Sequence, residues 1–339
     1  LESTFDEEAI TNALVLLTST DQHVICFTTG HNELDPVDRT AGVGLGQAVT
    51  RLEGQNYTTR SISLVREAGV PLDCEVVVAA DPQYDFLPAE VELLTAHVAS
   101  GGHLLLMLDP SHANGLAQEM RRFGLAMADD MILEMAADAA LFGGDASYIL
   151  LDEQSFDFHP ITQPIDGFVL TRMVRSVSAG EPVEGINVQE LIRTTPQAWT
   201  KTGLESITDF NPDPNTDRIG AIPLMAVAEV ADPAHIALDP AAAPGRTRRS
   251  GARVAVIGDI DFATNELLLT SNNLDLLLNT LAWMVGEEDQ ISIRPNTAAE
   301  AGLTLNLLQG LLMWLICLVV APGLTMLGAL STWRSRRNR

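Results

Sequence analysis

The end of this chain restricts its fate more than any other stretch. GLTLNLLQGLLMWLICLVVAPGLTMLGALSTWRSRRNR runs from Gly302 to Arg339, and no Asp, Glu, Lys or Arg lies between Glu300 and Arg334. The densest part, Leu307 to Leu330, is long enough to cross the ~30 Å hydrocarbon core of a bilayer as a helix. Buried helices of soluble cores are usually shorter and keep a polar stripe. The sequence therefore predicts a transmembrane helix over 303–333 and a basic tail over 334–339. Pro322 and Gly323 do not oppose this, because membrane helices tolerate both. Trp333 stands beside Arg334, Arg336, Arg337 and Arg339 as an interfacial residue does, and the positive-inside rule keeps that arginine end in the cytoplasm. Everything before residue 300 is then expected beyond a bacterial inner membrane, in the periplasm or outside the cell. Gly310, Gly323, Gly328 and Ala329 are small enough to let a neighbouring membrane helix approach closely.

A chain of 339 residues with 46% hydrophobic content can bury a sizeable core, as one large unit or two. Its formal net charge of −25 argues against nucleic acid as a partner, since neutralising phosphates needs clustered Lys and Arg. Three cysteines carry little information. Cys317 falls in the apolar run, which leaves Cys26 and Cys74 for a bridge in an oxidising compartment, although Cys26 inside the strand pattern HVICFT reads by default as a buried free thiol. No cysteine-pair or histidine-cluster spacing suggests a metal. Leu1 follows no initiator methionine, so residues 1–19 are expected to be a segment of a longer chain.

Between residues 20 and 135 strands and helices alternate. HVICFT, TRSISLV, CEVVVAAD and GHLLLMLD are strand patterns, and the continuous β-branched or aliphatic runs in the last two suit strands covered on both faces. Gly42–Gly54, Pro88–Ser100 and His112–Phe123 have helical spacing; Pro88 suits a first turn, and Gly101 with Gly102 stops the second helix. Short connections imply right-handed crossovers and a doubly wound, mostly parallel sheet of the flavodoxin or amidotransferase kind. Over 136–252 the pattern loosens into an irregular β-rich region. Over 253–300 a strand at RVAVIGDIDF is expected to rejoin the first sheet or an adjoining one. A helix from Asn273 to Val285 follows, with Asn272 or Asn273 as N-cap, and then a membrane-proximal collar. The acids Glu287, Glu288 and Asp289 disfavour further helix and point to a loop or a basic partner.

The order of TTGHNE after the first strand, ASGGHLLLMLDP, HPIT at 159–162, VIGDIDFATN at 256–265, NNLDLLLNTLAWMVGEEDQISIRP and a terminal apolar helix resembles the GldG-type auxiliary proteins of ABC transporters, linked in some bacteria to gliding motility. The resemblance covers nearly the whole chain. It implies a membrane-anchored, non-catalytic subunit working with an ABC permease and ATPase, presenting substrate or coupling ATP-driven motion to the exterior. Family members also carry an N-terminal membrane helix and a preceding domain, so a second copy or a cleaved N-terminal part is a further expected partner.

The loops at the carboxyl ends of the strands are the places where open α/β sheets bind ligands. Gly30, His31 and Glu33 follow the first strand; they offer an incomplete metal set, and a structural role with Gly30 turning the chain is the plainer reading. Gly258, Asp259, Asp261 and Asn265 follow the strand at 253. The two acids could hold a divalent cation, but Asp and Asn more often cap the next helix. Asp109 ends its strand in the same manner. A glycan or peptide receptor built on these loops is the alternative to the transport reading. A hydrolase is disfavoured: the turn Pro82-Gln83-Tyr84-Asp85 has no Cys or Ser, and Pro110-Ser111-His112 lacks the small flanking residues of a nucleophile elbow. Both phosphate-loop patterns are missing, and Lys201 is the sole lysine. No cofactor is expected, and any ATP hydrolysis belongs to another subunit.

Overall fold

The computed structural model describes residues 23–135, 145–204, 210–238 and 248–287, together with Leu318, Pro322, Gly323, Met326, Trp333 and Arg334. The chain divides into two units, Leu1–Arg294 and Pro295–Arg339. The first unit contains, in chain order, β1 (Val24–Thr28), α1 (Gly46–Gly54), β2 (Thr58–Ile62), α2 (Leu64–Glu67), β3 (Val76–Ala80), α3 (Pro88–Ala99), β4 (His103–Met107) and α4 (Asn114–Glu119). There follow β5 (Leu125–Met127), β6 (Asp130–Leu133), β7 (Tyr148–Leu151), β8 (Val169–Arg172), β9 (Val177–Ala179), β10 (Ile186–Arg193), β11 (Trp199–Thr202), β12 (Pro223–Val230), β13 (Ala252–Ile257) and α5 (Asn273–Val285).

Seven strands form one sheet in the order β10-β12-β13-β4-β3-β1-β2. From β2 through β1, β3 and β4 to β13 every pairing is parallel. β12 then runs antiparallel to β13, and β10 antiparallel to β12. The expected doubly wound, mostly parallel sheet is corrected on this point: the sheet is mixed, because the long excursion between β4 and β13 adds β12 against the parallel strands and β10 beyond it, again in their direction. The remaining strands make small antiparallel pairs, β5 with β9, β6 with β11 and β7 with β8.

The expected C-terminal transmembrane helix is also corrected. Among the described residues no helix is long and apolar enough to cross a membrane. Most of 303–333, with Gly310, Gly328 and Ala329, lies outside the described residues; Pro322 and Gly323 have helical backbone.

The unbroken apolar runs in the strands follow from burial on both faces. In β3, Val76, Val78 and Ala80 join the core beneath α1 and α5, whereas Val77 and Ala79 join the core beneath α3 and α4. β4 and β13 divide in the same way, Leu105 and Ile257 to the first core, Leu106 and Val256 to the second. Helix α3 starts at Pro88, where a missing N–H is no loss, and the Glu90 carboxylate accepts the free Leu87 N–H at 2.9 Å.

At α5 an asparagine stands at the cap position, as expected, but without a capping side-chain bond. This residue is Asn272; its carbonyl accepts the Leu276 N–H at 3.0 Å, but its side chain makes no bond to the helix backbone. Asn273 is fully buried and serves as a peg: its amide donates to the carbonyls of Leu170 (2.9 Å) and Leu267 (3.0 Å), and its Oδ1 accepts from Leu170 N–H (2.8 Å). Asn279 likewise donates to Ile161 O at 3.0 Å. These pegs fasten the β7–β8 excursion to the sheet domain. Cys26, in β1, is bridged to Cys74, just before β3, so the default of a free thiol does not hold.

Candidate functional site at the carboxyl ends of the central strands

Backbone register brings the acids together. Ala80 of β3 and Ile257 of β13 both lie beside Met107 of β4. The first acids beyond those positions, Asp81, Asp109 and Asp259, are therefore delivered to one spot at the sheet's carboxyl edge. Asp81 Oδ1 accepts the Asp109 N–H at 3.1 Å, and Asp109 Oδ1 accepts the Ile260 N–H at 3.0 Å. Asp259 is fully buried and accepts from the N–H groups of Asp261 (3.2 Å) and Phe262 (3.0 Å), which caps the short 3-10 turn Asp261–Ala263. The capping role read for this loop is thus filled by Asp259. Asp261 meets Arg172 with two short bonds, 2.7 Å to Nε and 2.9 Å to Nη2.

The electrostatics of this group are severe. Burial pushes the Asp109 carboxyl well above the usual carboxylate range, and the nearby Asp259, Asp81 and Asp261 push it the same way. Asp259 is raised by its burial and by Asp261, against backbone hydrogen bonds from Phe262, Asp261 and Arg172 that favour its charge. His112 Nδ1 lies 2.9 and 3.1 Å from the two Asp81 oxygens, and that bond raises the imidazole's pKa against the effect of burial. Beneath the cluster Arg175 is almost wholly buried and bonds to carbonyls: Ala128 from Nε at 2.9 Å, Asp109 and His112 from Nη1 at 3.3 and 3.2 Å. Its Nη2 donates to Asn114 Oδ1 at 2.8 Å.

Gly258 touches this floor. A Cβ there would stand 1.9 Å from the Arg175 carbonyl oxygen, so only glycine lets the two backbones meet, and Arg175 N–H donates to Gly258 O at 2.7 Å. Asn265 reaches away from the acids. Its amide donates to Asp38 O and Ala41 O, both at 2.8 Å, and its oxygen accepts from Gln47 N–H at 2.9 Å, which ties the loop to the start of α1.

The first loop forms a second group. Sheet order reverses between β1 and β3, and the loops after those strands meet over the reversal: Gln83 and Tyr84 donate to His31 O at 2.9 and 3.2 Å. The His31 ring stacks on Phe86 with centroids 4.2 Å apart, and its Nε2 lies 3.0 Å from Glu90 Oε2. Glu33 accepts the His31 backbone N–H at 2.7 Å. His31 Nδ1 and Glu33 Oε1, 3.7 Å apart, are both buried without a hydrogen-bond partner. Gly30 turns the chain at φ +131°.

Of the residues singled out in the sequence, Asp109, Gly258, Asp259 and Asp261 are assembled together; Gly30, His31 and Glu33 form the neighbouring group, and Asn265 is a tether. Asp81, Glu90, His112, Arg172 and Arg175 escaped the sequence reading. Asp81 ends its strand as Asp109 does, a parallel that could have flagged it. The arginines lie in the irregular excursion and carry no local signal. Ser111 has a left-handed backbone, φ 65°, as a nucleophile elbow would. Its hydroxyl makes no hydrogen bond to a described residue, and the adjacent His112 Nδ1 is engaged by Asp81.

In solved structures the fold is similar to the N-terminal domain of mmIFT52, at 14% identity and a TM-score of 0.54, over 77% of this chain and 96% of that one. A putative ThuA-like protein from Bacteroides uniformis aligns over 79% of this chain and 93% of that one, at 13% identity and a TM-score of 0.44. The first likeness establishes the fold alone. No protein of curated function matches the sequence. Residues 22–280, the span that holds the whole sheet and both loop groups, match the family described as an ABC-type uncharacterized transport system, and the chain belongs to that family of transport auxiliary components.

Proposed function

We propose that the protein is a non-catalytic auxiliary subunit of an ABC transport complex, with its sheet domain outside the cytoplasm and its partners a permease and an ATPase. The family match over residues 22–280 carries this reading. The Cys26–Cys74 bridge supports an oxidising compartment, where such bonds persist. With no phosphate-cradling loop in the sequence, ATP hydrolysis falls to the partner ATPase. The loops carrying His31, Asp109 and Asp259 form the end of the domain suited to presenting a substrate or receiving a moving partner, and membrane attachment comes through the complex. The link of the family resemblance to gliding motility extends this reading to surface movement.

Purification of the tagged full-length chain from native membranes tests the assignment. A permease and an ATPase should accompany it, and Ser111→Ala should leave their recovery and the transport phenotype intact. Purification without either companion would refute the assignment. Loss of function in a folded Ser111→Ala protein would return the hydrolase.

A further inference from the structure

We propose that Asp81, Asp109 and His112 bind a divalent transition-metal ion, of which Zn2+ best fits their donors. One carboxylate oxygen from each aspartate and one imidazole nitrogen lie within 4.8 Å of one another. Around a tetrahedral zinc, ligand atoms stand about 3.3 Å apart for metal–ligand bonds of ~2.0–2.1 Å. Side-chain shifts of about 1 Å or less would close the set. His112 Nδ1 and Asp81 are already at 2.9 Å, and an ion would take the place of the proton between them. The imidazole argues against Mg2+ and Ca2+, which prefer all-oxygen surroundings.

A second observation points to a cation. Asp109 Oδ1 has the Ile260 N–H, but no hydrogen bond or ion pair from a described residue reaches Oδ2. Arg175 Nη1 is engaged by the backbone carbonyls of Asp109 and His112, and it thereby fixes both ligand-bearing segments. Outer groups around metal centres act in this way. His112 is 34% exposed, so the site opens to solvent on one side, and three protein ligands leave a fourth position for water or a partner's side chain.

The proposal is independent of the transport reading, since it concerns an ion and three side chains. Its test uses the full-length chain stripped with chelator and titrated with Zn2+, followed by calorimetry and by thermal unfolding. One equivalent should bind and raise the Tm, while Mg2+ and Ca2+ at the same concentration should not. Co2+ should give a visible absorption band that Zn2+ abolishes. Asp109→Asn removes one carboxylate donor and should weaken Zn2+ at least tenfold. His112→Gln, at the more exposed ligand, should weaken it similarly and guards against a folding defect in the first variant. Absence of a Zn2+ response in the parent overturns the proposal. Equal affinity in parent and both variants does so too, because it places the ion on other carboxylates.

Discussion

At Gly258 a single methyl group is enough to force two backbones apart, because the Arg175 carbonyl would lie 1.9 Å from it. Gly258→Ala should destabilise the protein by about 2–3 kcal/mol through overpacking and through displacement of the arginine that spans the 109, 112 and 128 carbonyls. Gly54→Ala is the matched control: nothing stands within 4 Å of its Cβ position, and the change should be neutral or stabilise by about 0.5 kcal/mol. Denaturant midpoints of the two variants, compared with the parent, decide this. The glycine's neighbours explain what could be read at this scale. Asp109, Asp259 and Asp261 stand out in sequence because each closes or follows an apolar run. Arg172 and Arg175 do not, since their importance comes from contacts across 89 and 66 positions of chain.

Among the elements, β1, β3, β4, β13, α3 and α5 were legible because each carries its own periodicity or its own stop signal, such as Pro88 at the start of α3. The direction and place of β10 and β12 were not legible. PLMAVAEV in β12 is as apolar as a parallel strand, and only the chain's route through the excursion turns it round. The asparagines of α5 mislead for a related reason: Asn is a good cap, and nothing local reveals that Asn273 meets Leu170 across 103 residues. Asn273→Ala leaves the buried Leu170 N–H and carbonyl without their partner, while Leu267 O keeps the Thr270 N–H. At about 1–3 kcal/mol for an unsatisfied buried group, partly relieved by relaxation, the variant should lose about 2–4 kcal/mol. Hydrogen exchange should show β8 opening more readily than β3, whereas equal protection of the two strands would mean the excursion is held by other contacts.

Across the whole molecule, ionisation sets opposing limits on stability. His23, held between Glu287 and Glu75, has its pKa raised from 6.5 to about 10. Its contribution is fully present below the unfolded value and is lost as pH rises through the folded one. His103 is lowered to about 4 by burial and accepts the Arg253 N–H at Nδ1, so its contribution is lost as pH falls from 6.5 through 4. Asp109 and Asp259 act with the reverse sign to His103, because the unfolded carboxylates ionise before the folded ones. A Tm profile against pH should therefore decline on the alkaline side between about 6.5 and 10. His23→Gln should flatten that limb, costing about 1–2 kcal/mol at pH 6 after allowance for solvent screening. An unchanged limb would show that His23 is not its source. The same histidine has a mechanical meaning. His23 Nε2 is 3.2 Å from Glu287 Oε1 although 264 positions of chain separate them. Seen from outside, the folded domain is a knot of cord gathered between two touching points, adding bulk to a tether and almost no length. Objects held through residues 23 and 287 stay within ångströms of each other while the gather is tight. Its opening, with the Cys26–Cys74 bridge intact, would release roughly 700–800 Å of slack at ~3.3–3.6 Å per residue.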